Sequence, residues 1–153
     1  MDQLIATMKK VLADSFAFYL KAQYYHWNVE GPDFKQYHDL FGDIYSTVYE
    51  SVDKTAEQIR ALDSYAPGSF SRFMELTSIN DENTVPPALE MIQRLSNDNA
   101  LIVAGLRNAF EVSEANQQYH LSDYIAGLID NHKKIGWMLK ATLKPQTTGA
   151  ASV

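Results

Sequence analysis

Four long stretches in which apolar residues recur at spacings of three and four make this chain helical. In the first, Leu4, Met8, Val11, Leu12, Phe18, Tyr19, Ala22 and Tyr25 form one stripe over roughly residues 2–28. Gly31-Pro32 ends it, because a proline disfavours helical backbone at the residue before it. Asp33 is placed to cap a second helix, whose stripe runs from Tyr37 through Phe41, Ile44, Tyr45, Val48, Val52, Ala56 and Ile59 to about residue 63. Segment 64–85 breaks the pattern at Pro67-Gly68, and Phe70, Phe73, Met74 and Leu76 predict a short helix over the core. Thr84 reads as an N-cap, with Pro86-Pro87 in the first turn of a third long helix over 86–115, built on Leu89, Ile92, Leu95, Ile102, Val103, Leu106 and Phe110. A fourth, over 121–143, carries Tyr124, Ile125, Leu128, Ile129, Ile135, Met138, Leu139 and Leu143. No segment alternates with the period of a strand. The pattern predicts an all-α four-helix bundle with a short extra helix in the long connection between helices 2 and 3. One domain spans residues 1–145, and residues 146–153 form a polar, flexible tail.

Composition narrows the chemistry. The chain has no cysteine, which excludes disulfides, thiolate catalysis and iron–sulfur or zinc-finger sites and is compatible with a reducing cytoplasm. A metal would have to be held by His, Asp, Glu or water, ligands that suit iron, manganese or zinc. The net charge of −6 makes a poor nucleic-acid binder. No apolar run is long enough to span a membrane. The N-terminal stretch "MDQLIATMKKVLADSF" puts its lysines inside the apolar pattern rather than ahead of it, unlike a secretory signal.

Half of the four histidines lie in "YHWNVEGPDFKQYHDLF". His26 falls near the end of the first helix and His38 near the start of the second, so the Gly31-Pro32 turn can bring them face to face. Farther down the second helix, at ~100° per residue, Asp53 lies ~60° and Glu57 ~100° around the axis from His38. The three share a face, and Asp53 and Glu57 are an i,i+4 pair able to grip one cation, although such a pair alone is more often a solvated helix face. His38 and Asp53 are however fifteen residues apart, ~22 Å of helix, and cannot hold one ion within one chain. If they form one site, the carboxylates come from a second subunit, with two equivalent sites about a two-fold axis. The Glu-x-x-His pattern of buried di-iron bundles is absent, as are a phosphate loop, H-E-x-x-H and a nucleophile elbow.

These residues carry a resemblance. "HWNVEGPDF", "YHDLF" and "DKTAEQIRAL", with "LADSFAFYLKAQYYHWNVEG" upstream and "LIDNHKKIGWMLKATL" near the end, resemble the Dps family of mini-ferritins over nearly the whole chain. The resemblance implies a ferritin-like four-helix bundle assembled as a hollow homo-dodecamer in the cytoplasm. It implies ferroxidase activity: ferrous iron oxidised at two-fold interfaces, with hydrogen peroxide (or dioxygen) as oxidant, and ferric iron stored inside, protecting against oxidative damage. The family's metal and catalytic residues match His26 and His38 of one chain and Asp53 and Glu57 of its partner. Its three-fold pore acids are matched by Asp123 and, more weakly, Asp130; Asp123 reads equally as an acid favoured near a helix start.

One position departs. Family members usually carry an aspartate four residues after the second histidine, and here that position is Gly42. Asp43 lies ~100° farther round the helix, and Asp39 nearly one turn earlier. The loss predicts one iron held well and a second only transiently. It also opens an alternative: a Dps-like shell with impaired oxidation, acting in metal sequestration or DNA protection. A plain helical interaction module is the third reading. DNA binding, the family's namesake, is not expected, since the helical pattern starts at the N-terminus and the C-terminal tail adds only Lys144 beyond Lys140. Trp27 reads as packing or as redox protection beside the site, Trp137 as packing, and His120 and His132 as non-ligands.

Overall fold

The computed structural model describes residues 1–145 and 148–152. Residues 146, 147 and 153 of the expected tail lie outside the described residues. Five helices follow in order: α1 (Asp2–Asn28), α2 (Phe34–Ala61), α3 (Phe70–Leu76), α4 (Ala88–Ala115) and α5 (Tyr119–Leu143). Among the described residues there is no strand. The long helices make the expected bundle: α1 packs along α2 and α4, α4 along α5, and α2 closes against α5. The core is continuous, with Phe18, Tyr25, Phe41, Met91, Leu95 and Leu106 among its fully buried side chains. Each such side chain contributes ~1.5–3 kcal/mol by leaving water.

The turn that positions the histidines is built as the sequence suggests. Val29 leaves the helix in an extended conformation. Gly31 follows with φ 120°, a backbone that only glycine adopts without strain. Asp33 occupies the N-cap of α2 but makes no side-chain capping bond.

The long connection departs from expectation in two ways. Thr84 does not cap α4, which starts at Ala88 with Pro87 at its N-cap. The Thr84 N–H and hydroxyl instead donate to Glu82, at 2.9 and 2.8 Å. Two consecutive prolines hold the intervening chain extended, so the helix starts after them. Secondly, α3 lays only part of its apolar side on the core, through Phe73. Phe73 stacks on Phe16 at 4.8 Å, but Phe70 and Met74 are 79% and 56% exposed. The connection is strapped to α1 by polar contacts. Asp14 accepts from the Thr77 hydroxyl and the Ser78 N–H (2.9 and 2.6 Å), and Tyr24 donates to the Thr84 carbonyl at 3.1 Å. At the other end of the bundle, Gln117 turns with φ 58°, and α5 begins two residues earlier than its apolar stripe.

Candidate metal centre

Where α1 ends and α2 begins, the two imidazoles lie face to face, 3.7 Å between centroids and 17° between planes. Each is pinned by the other's backbone. His26 Nδ1 donates to the His38 carbonyl at 2.6 Å, and His38 Nδ1 donates to the His26 carbonyl at 2.7 Å. A carbonyl only accepts, so both Nδ1 atoms carry the proton. In the neutral rings each Nε2 then keeps its lone pair, the tautomer that ligates metals. Both rings are half-buried.

Gly42 is what lets His26 sit there. A Cβ at this position would lie 3.1 Å from His26 Cε1 and 3.2 Å from Nδ1, tighter than ordinary contact. The missing side chain therefore has a steric consequence besides the lost carboxylate: the imidazole fills its space. Asp39 is exposed and bound to Lys35 at 2.8 Å. The Lys35 ammonium hydrogen-bonded to it holds its carboxyl below the usual range. Asp43 points to solvent.

Asp53 and Glu57 are exposed on α2. Among the described residues no three His, Asp or Glu side chains gather closely enough to hold a metal ion. The structure thus brings His26 and His38 together and leaves Asp53 and Glu57 apart from them. Asp123 and Asp130 are exposed on α5, and His120 is exposed near its start. His132 is buried, its Nδ1 donating to Asn99 Oδ1 at 2.8 Å, and burial pushes it down to about 4.

Trp27 is 63% exposed and has no ring contact with the histidines among the described residues. It lines a groove of about 410 Å³ with Leu20, Phe70 and Met74 between α1 and α3. Trp137, expected as packing, is 66% exposed. Sequence reasoning assigned Tyr45 to the core stripe and passed over its contact with the site. Tyr45 meets the His26 ring edge-on at 5.2 Å; its position seven residues after His38, two helical turns, was the available signal.

The chain and its fold match known proteins. Residues 5–146 match the ferritin-like domain family. An uncharacterised low temperature-induced protein of Nostoc is 32% identical over 94% of this chain and 81% of its own length. The DNA protection during starvation protein 2 of Bacillus anthracis is 26% identical over 92% of this chain and 97% of its own. The crystal structure of the Vibrio cholerae Dps protein, described as a member of a broad superfamily of ferritin-like diiron-carboxylate proteins, superposes with a TM-score of 0.89 at 26% identity, covering 94% of this chain and 90% of that one. The fold and these matches define a ferritin-like bundle, and within that class the chain belongs to the Dps family of mini-ferritins. Among the described residues no helix is long and apolar enough to cross a membrane.

Proposed function

We propose that this protein takes up ferrous iron as substrate, oxidises it with hydrogen peroxide or dioxygen, and stores the ferric product in a hollow homo-oligomer, a dodecamer by family likeness, thereby limiting oxidative damage. The observation that carries this reading is the reciprocal pinning of His26 and His38, which occupies both Nδ1 atoms and leaves both Nε2 atoms available to a metal. Asp53 and Glu57 of a second copy complete the site, because ~22 Å of helix separates them from His38 within the chain. The exposed apolar groove beside Trp27 supports a second copy docking next to the site.

The stack also divides the labour. A ring-nitrogen lone pair lies in its ring plane, and a metal–imidazole bond is about 2 Å. With ring centroids 3.7 Å apart and planes only 17° from parallel, the two in-plane lone pairs do not converge on one ion, so each histidine serves its own. Gly42, one turn after His38 and facing the His26 ring, supplies no carboxylate to either ion, so the position that meets the second copy's Asp53 and Glu57 holds the tighter iron.

Complementation tests this. His26→Ala and Glu57→Ala should each abolish tight anaerobic ferrous binding. Co-assembled subunits of the two variants should regain part of it, since one pairing restores an intact site. No recovery, or two tight ions per wild-type site, would overturn the reading. Gly42 specifically favours a second reading, sequestration with little oxidation. Stopped-flow oxidation kinetics with oxygen and with peroxide separate the two.

A further inference from the structure

Reducing hydrogen peroxide to water takes two electrons. A position holding one Fe(II) supplies one, and with no second donor the broken O–O bond leaves a hydroxyl radical. The aromatic groups behind His26 address this shortfall. Tyr45 lies 5.2 Å from the His26 ring and 6.1 Å from Tyr19. Tyr19 lies 4.8 Å from Tyr49, which is 56% exposed. Three phenols thus run in ring-to-ring steps from the metal-side imidazole, along the α1–α2 seam, to solvent. The Tyr19 hydroxyl donates to Gln23 Oε1 at 3.0 Å, which holds its ring in the line. The branch from Tyr19 to Phe16, at 5.5 Å, has no phenol and stops there.

We propose that Tyr45, Tyr19 and Tyr49 form a one-electron relay that supplies the second reducing equivalent when peroxide reacts at the His26 position; this rests on the iron-site reading above. The O–O bond breaks as Fe(II) gives one electron and becomes Fe(III). Tyr45 gives the other and loses its phenolic proton, becoming a neutral tyrosyl radical. That proton and one from solvent complete two waters. Tyr19 then gives an electron to Tyr45 and Tyr49 gives one to Tyr19, each donor losing its phenolic proton and each acceptor regaining one, so the radical moves to the surface, where a soluble one-electron reductant such as a thiol or ascorbate quenches it by returning an electron and a proton. Packing of α1 on α2 needs only the rings, so phenylalanine preserves the seam and removes the redox-active phenol.

Freeze-quench EPR of the assembled protein, loaded anaerobically with Fe(II) and mixed with peroxide, tests the relay alongside spin trapping of hydroxyl radical. Wild type should show a tyrosyl signal and little trapped radical. Tyr45→Phe should lose most of that signal and raise the hydroxyl adduct several-fold, with ferrous stoichiometry by calorimetry unchanged. Tyr49→Phe should keep the signal and lengthen its lifetime, because the radical then ends on the less exposed Tyr19. Iron oxidation without any tyrosyl signal, or a signal and adduct yield that Tyr45→Phe does not move, would overturn the relay alone. Failure of wild type to oxidise iron would overturn the site reading and the relay with it.

Discussion

Substituting Gly42 separates its steric role from its missing carboxylate. In an ordinary helix interior, Gly→Ala stabilises by ~1 kcal/mol. Here the new Cβ would stand 3.1–3.2 Å from the His26 ring, which must yield by a few tenths of an ångström. That ring is held by the 2.6 Å bond from Nδ1 to the His38 carbonyl, and a bond of this kind contributes about 1 kcal/mol net. The two effects offset, so Gly42→Ala should leave the urea midpoint nearly unchanged. The displaced Nδ1–H bond should show in binding instead, since losing such an outer-shell partner typically costs about tenfold or more in metal affinity. Gly42→Asp should add a second ferrous ion per site by calorimetry while weakening the first. If Gly42→Ala gains the full ~1 kcal/mol with ferrous affinity intact, the ring is free to move and the steric argument is wrong.

Further expectations concern the bundle that carries the site. His132, buried and held at about 4 against an ordinary 6.5, refuses a proton that the unfolded chain accepts. Its contribution to stability is therefore intact above pH 6.5 and declines as pH falls to about 4, by roughly 3 kcal/mol at ~1.4 kcal/mol per pH unit. His132→Gln should flatten this part of the urea-midpoint profile. Lys21 and Asp98 form a buried ion pair at 2.8 Å, in which burial raises the Asp98 carboxyl and Lys21 opposes the rise. Lys21→Met should destabilise by ~3 kcal/mol by stranding the aspartate, and Lys21→Met with Asp98→Leu should recover most of the loss in chemical denaturation. Glu82 is held at about 2: burial would raise it, but bonds from the Thr84 N–H and hydroxyl, Tyr25 and Arg94 more than offset this. Its contribution should persist above pH 4.5 and fade as pH drops toward 2, and Glu82→Gln should loosen residues 77–84 in hydrogen exchange.

Much of the fold was legible because apolar spacing and two punctuators, Gly31-Pro32 and Pro67-Gly68, report local backbone preference. The errors arose where a residue had a stronger use than the one its local pattern suggests. Thr84 has the composition of a cap, yet Glu82 takes both of its donors. Phe70 and Met74 have the spacing of a core face, but periodicity does not say whether a face covers its own bundle or another. At the site, fifteen residues of helical rise were enough to separate His38 from Asp53. The stack of His26 on His38 was not legible, because it depends on where two ring planes meet across a turn. Nor was the reason for Gly42, which lies in a contact with a residue sixteen positions earlier on another helix.

On the proposed reading, assembly and iron uptake are one equilibrium. An isolated subunit exposes much of Trp27, Phe70 and Met74, whose burial would be favourable, and leaves Asp53 and Glu57 exposed to solvent. Docking a second copy covers the first group and gives the second its metal. Ferrous iron that binds only the docked form must then stabilise docking by the same free energy that docking lends to iron. The pinned histidines fit that scheme, since their Nε2 atoms are already oriented within one chain. The ordering cost of half the site is met by folding, and association has only to bring up the two carboxylates.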